Sequence, residues 1–120
     1  MRNRRYLVDE NTTPALADQL RRRQPSMDVL TIGDGIAPPK GTLDPEILLW
    51  LEEHDYSLIT RNRKSMPGHL QDHLTQGHHI PGIFTLRPRA SLGEVLDDLL
   101  LIWEVAEPDE YQDQIVHIPL

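Results

Sequence analysis

At 120 residues the chain suits one domain, residues 1–120, and leaves little room for two. Cysteine is absent, which excludes a disulfide framework and any thiolate metal site, and no apolar run reaches membrane-spanning length. A net charge of −7 argues against nucleic-acid binding by bulk charge, and the basic start from Met1 to Arg5 is followed by too few apolar residues for a signal peptide, so the cytoplasm is the expected compartment.

The elements follow in chain order. Residues 5–8 are short and β-prone. Thr12-Thr13-Pro14 reads as a helix start, with a threonine cap and proline at the first helical position. Leu16 and Leu20 share a face of this helix, which should end near Arg23 because Pro25 disfavours helical geometry at Gln24. A second strand is expected within 27–32, and a glycine- and proline-rich loop over 33–41. Asp44-Pro45 opens a second helix, with Ile47, Leu48 and Leu51 on its buried face. A third strand over 56–60, a charged turn and a helix from Ser65 or Met66 to about 76 come next. A fourth strand covers 83–86. Ser91 with Glu94 fits a capping box that opens a long helix to about 105, and a last strand covers 115–118.

Strands alternating with helices predict an α/β domain with a mostly parallel sheet and helices on both faces, a three-layer α/β/α arrangement. Ligands of such sheets sit beyond the carboxyl ends of the strands, near the point where strand order reverses. Asp9-Glu10 follows the first strand, and Asp44 and Glu46 begin the second helix. Carboxylates gathered there repel one another unless a cation binds, and hard oxygen ligands suit Mg²⁺ or Mn²⁺. Asp9 is expected to stand exposed over the crevice; with Thr12 or Thr13 available as the cap, it is not needed for capping. For Asp44, capping and metal binding are equally good explanations.

Asp9-Glu10-Asn11 after a short strand, Asp44-x-Glu46-Ile47-Leu48, and Leu58-Ile59-Thr60 with its charged turn together resemble the PIN-like nucleases. These are encoded as toxin components of toxin–antitoxin pairs, and the resemblance covers about residues 6–86. It implies a PIN-like domain and metal-assisted phosphodiester hydrolysis with Mg²⁺ or Mn²⁺. It further implies an RNA substrate and a small antitoxin protein as partners. The family's first acid falls on Asp9, with Glu10 beside it, and its helical acid on Asp44, assisted by Glu46. Asp9, Asp44 and Glu46 would hold the metal, and Asp9, Glu10, Asp44 and Asn62 would form the catalytic set. The family's Thr-x-Asp-x-Asp stretch reads Thr60-Arg61-Asn62-Arg63-Lys64 here, so Asn62 and Lys64 replace its two acids. Asn62 still offers a carbonyl oxygen, without charge. Arg61, Arg63 and Lys64 would contact phosphate at the rim.

That departure leaves a second expectation open: a catalytically reduced PIN-like module that binds RNA or a partner protein. The sequence leaves a homodimer open and implies no membrane. A rival chemistry lies in the histidines. His69 and His73 are four apart on a helix, followed by His78-His79, and such a pair can bind zinc with His78, His79 or Asp72 as a further ligand. The HExxH signature is absent, and a histidine pair on an exposed helix is more often incidental. No dinucleotide fingerprint, Walker motif or nucleophile elbow is present.

Overall fold

A computed structural model describes residues 3–120, so Arg2 of the basic start lies outside the described residues. The expected βαβαβαβαβ order holds: β1 (Tyr6–Val8), α1 (Pro14–Arg23), β2 (Val29–Thr31), α2 (Asp44–His54), β3 (Ser57–Thr60), α3 (Met66–Thr75), β4 (Ile83–Leu86), α4 (Leu92–Val105) and β5 (Ile115–Ile118). The helix starts have different causes. At α4 the capping box forms: the Glu94 N–H donates to Ser91 Oγ at 3.2 Å and the Ser91 N–H to Glu94 Oε1 at 3.3 Å. At α1 the expected threonine cap does not form. Thr13 makes no side-chain cap bond, and Pro14 alone presets the first turn. Asp44 is not a cap either: Leu43 occupies that position, and Asp44 is the first residue of α2.

The five strands form one parallel sheet in the order β2-β1-β3-β4-β5. A parallel sheet must be covered on both sides, and the side chains divide accordingly at every other residue. Tyr6 and Val8 of β1, Ile59 of β3 and Phe84 of β4 join Leu16, Leu20, Leu96 and Leu99 of α1 and α4 in one core. Leu7, Leu58 and Ile83, the intervening residues, join Ile47, Leu48, Leu51 and Leu70 of α2 and α3 in the other. The result is a three-layer α/β/α sandwich.

This partition fixes the sense of the crossovers. The chain moves from β1 to β2 in one direction with α1 on the first face, then back across β1 to β3 with α2 on the second face. The step from β3 to β4 keeps both direction and face. The step from β4 to β5 keeps the direction but changes the face, so it is opposite in hand to the other three. Such crossovers are rare. Here the reversal places two helices on each face, so that α4 covers Phe84 and Ile59, which α1 alone would leave bare. Among the described residues no helix is long and apolar enough to cross a membrane.

The reversal in strand order lies at β1 and β3. From their carboxyl ends the chain departs to opposite faces, which opens the crevice where the topology places a ligand.

Candidate functional site

Asp9 leaves β1 with its N–H bonded to the Ile59 carbonyl at 2.9 Å, so its backbone is still part of the sheet. The side chain is turned inward: Asp9 is only 9% exposed, which corrects the expectation of an open carboxylate. Its Oδ2 accepts from the Thr60 hydroxyl at 2.7 Å and its Oδ1 from the Glu10 N–H at 2.8 Å. Thr60, the last residue of β3, is fully buried. Its Oγ1 also accepts from the Asn62 N–H at 3.1 Å. Asn62 in turn donates its side-chain amide to Asp44 Oδ2 at 2.8 Å and accepts from the Ser65 N–H at 3.2 Å. A continuous polar path thus joins Asp9 and Asp44 through Thr60 and Asn62, across the crevice between β1 and β3.

Asp9 makes no ion pair among the described residues, although buried carboxylates are ordinarily paired or bound to a metal. Asp44 is one-quarter exposed, at 24%, and its Oδ2 lies 3.7 Å from His69 Nε2. Glu10 turns toward the loop after β2, where its Oε1 accepts from the Gly41 N–H at 2.8 Å. Gly41 has φ of 85°, a conformation that side-chain-bearing residues resist. Glu46 is exposed in the first turn of α2. Among the described residues no three of these carboxylates bring ligand atoms within 4.8 Å of one another. Asp9 and Asp44 are joined through Thr60 and Asn62, whereas Glu10 bonds to the loop after β2.

Arg61, Arg63 and Lys64 are exposed on the turn after Thr60 and form no ion pair among the described residues. Arg61 also lines a groove of about 190 Å³ beside the crevice, together with Thr12, Thr13, Arg87 and Leu92. The Thr12 hydroxyl is buried without a hydrogen-bond partner among the described residues, so neither threonine acts as the cap.

The histidines part company. His69 faces Asp44 at the carboxyl edge of the sheet, whereas His73, one turn later, faces Glu52 and His78 at the opposite edge. The rival His69–His73 zinc pair is therefore not assembled, in keeping with the reading of that spacing as incidental. Glu52, His73 and His78 form a group able to hold a metal ion.

Sequence reasoning assigned no role to Thr60 or Glu52. Thr60 could have been found, since a threonine ending a strand beside an acid-bearing strand can bond across to it. Glu52 carried no signal, because its partners come from another helix and a loop. Comparison of the chain with protein-family models, with curated proteins and with solved structures finds no match.

Proposed function

We propose that the chain is a Mg²⁺- or Mn²⁺-dependent ribonuclease of PIN-like type whose site lies in the crevice between β1 and β3, and that it serves as the toxin of a toxin–antitoxin pair. The observation that carries the chemistry is Asp9: a buried carboxylate at the switch point of a parallel sheet, held by two hydrogen bonds and lacking a cationic partner among the described residues. The toxin role and the antitoxin partner rest on the resemblance of the acidic segments alone.

The donor set fits a hard cation of modest ligand demand. Mg²⁺ keeps several waters and is commonly held by one or two carboxylates plus substrate phosphate. Asp9 and Asp44 are those two carboxylates. Glu46, further out on the first turn of α2, is left for an outer contact. A bound divalent cation would stabilise negative charge developing on the phosphoryl oxygens.

The protein's own residues supply the rest. Thr60 and the Glu10 N–H fix the Asp9 carboxylate in one orientation, and Asn62 does the same for Asp44. Arg61, Arg63 and Lys64 draw the phosphodiester backbone to a protein whose bulk charge would repel it. Their forks and ammonium group hold phosphate oxygens at the rim. His69, beside Asp44, is placed to exchange a proton with the leaving oxygen.

One observation favours a second reading, a binding module without catalysis. Asn62 turns its amide N–H, not its oxygen, to Asp44, and so neutralises an acceptor a metal would use. The deciding experiment is cleavage of labelled RNA in Mn²⁺ and in Mg²⁺ by the native protein and by Asp9→Asn, which is isosteric, keeps an acceptor for the Glu10 N–H and can meet the Thr60 hydroxyl as a donor. Metal-dependent cleavage lost in the variant supports the nuclease. RNA binding without cleavage by either protein replaces it with the second reading.

A further inference from the structure

We infer that Glu52, His73 and His78 form a zinc site at the amino edge of the sheet, remote from the acidic crevice and independent of its chemistry. The three residues come from the last turn of α2, the last turn of α3 and the loop that leads into β4. Each presents one ligand atom, and the three atoms lie within 4.8 Å of one another. Glu52 Oε1 is 2.9 Å from His78 Nδ1 and 3.5 Å from His73 Nε2. Ligand atoms on a tetrahedral zinc with bonds of ~2.0–2.1 Å stand about 3.3 Å apart, so two edges of that tetrahedron are already close to length.

The chemistry of the set selects the metal. Two imidazoles and a carboxylate suit zinc far better than magnesium. This ligand count leaves a fourth position for water. The surroundings are built for it. The His73 side chain is 4% exposed, so its ring is held by packing rather than by solvent. The other Glu52 oxygen accepts from the His79 N–H at 3.0 Å, a contact that orients the carboxylate from behind. The same loop is pinned by Asp113, whose Oδ1 accepts from the Ile80 N–H at 2.8 Å and whose Oδ2 meets His79 Nδ1 at 2.7 Å.

The two rings are also brought against one another. The His73 and His78 rings are stacked, with centroids 4.9 Å apart and planes 28° from parallel. Each ring turns one nitrogen toward the same Glu52 oxygen, Oε1. His73 Nε2 also lies 3.2 Å from the His79 carbonyl. Metal binding would replace that contact. The bound ion then joins α2, α3 and the loop into β4.

The test uses the full chain. Zn²⁺ titrated calorimetrically at neutral pH should bind one ion per chain and raise the melting temperature. Co²⁺ in its place should give the intense visible absorption of a tetrahedral nitrogen–oxygen site. His78→Ala and Glu52→Gln, both at partly exposed positions, should each weaken Zn²⁺ binding at least about ten-fold. His69→Ala, at the other edge, should leave it unchanged. Zn²⁺ affinity equal to native in both His78→Ala and Glu52→Gln overturns the proposal, as does a native protein that shows neither saturable Zn²⁺ binding nor the Co²⁺ spectrum. Loss of binding in His69→Ala alone moves the ion to Asp44 and overturns it too.

Discussion

Asn62 donates its side-chain amide to Asp44 Oδ2 at 2.8 Å. The contact holds the β3–α3 turn against the start of α2. Asn62→Asp replaces a hydrogen bond with two facing carboxylates. The metal-free protein should lose about 1–3 kcal/mol. Mn²⁺ should restore more stability to the variant than to the native protein, because an ion bound only by the folded state stabilises it in proportion to its affinity. Thermal melts with and without Mn²⁺ measure both effects. Unchanged melts in both conditions would remove Asn62 from the site.

Thr60 is the buried link between the two carboxylates. Thr60→Val keeps the shape and deletes the hydroxyl, leaving Asp9 Oδ2 and the Asn62 N–H without their partner. The expected cost is about 1–3 kcal/mol, and any cleavage activity should fall further than folding alone explains, because Asp9 loses its fixed orientation. Urea denaturation and the cleavage rate, measured on the same preparation, separate the two losses.

Arg4 is an inner residue despite its charge. It is 7% exposed and donates to Ser57 Oγ at 2.8 Å and to the Glu107 carbonyl at 3.1 Å, while its guanidinium stands 5.3 Å from the Tyr111 ring centre. Burial pulls its pKa below the ordinary arginine value, partly offset by the electrostatic effect of Tyr6, Tyr111 and acidic neighbours. Arg4→Ala should destabilise the domain by about 3 kcal/mol, through unsatisfied carbonyls and lost packing. Arg4→Lys should recover only part of this, since one ammonium cannot span the same acceptors.

Tyr6 gives the fold an alkaline limit. Its hydroxyl donates to the Leu99 carbonyl at 2.9 Å, tying β1 to α4, and burial pushes its pKa well above the ordinary tyrosine value against the opposing pull of Arg4. Below about pH 10 the phenol is protonated in both folded and unfolded chains. Above it the unfolded chain releases the proton while the folded chain retains it, so stability falls as pH rises. Tyr6→Phe should cost about 1 kcal/mol at neutral pH and flatten that alkaline decline. Chemical denaturation at neutral pH and above pH 10 would show both. An unchanged alkaline slope would mean that Tyr6 ionises in the folded state.

The layer order, all nine elements and the capping box were legible in the sequence, because they depend on local periodicity and on proline and serine signals that act within one turn. The bounds of β4 and β5 were legible to the residue, since Pro81-Gly82 and Pro119 punctuate them. What was not legible depends on contacts between distant segments. Asp9 and Asp44 could be assigned to one crevice from topology, yet the burial of Asp9 follows from Thr60, which is 51 residues away. The His69–His73 spacing suggested one site, whereas α3 runs from one edge of the sheet to the other and delivers the two rings to different neighbours. No spacing rule predicts Glu52 opposite His78, because α2 and the loop after α3 are brought together by tertiary packing.

The central claim is that Asp9 and Asp44 together hold a divalent cation, and Mn²⁺ binding followed by electron paramagnetic resonance tests it most directly. The native protein should take up Mn²⁺ with loss of the free-ion signal. Asp9→Asn and Asp44→Asn should each weaken that uptake at least about ten-fold, because a hard cation prefers anionic oxygen, while His78→Ala should bind as the native protein does. Equal Mn²⁺ affinity in the native protein, Asp9→Asn and Asp44→Asn would contradict the account.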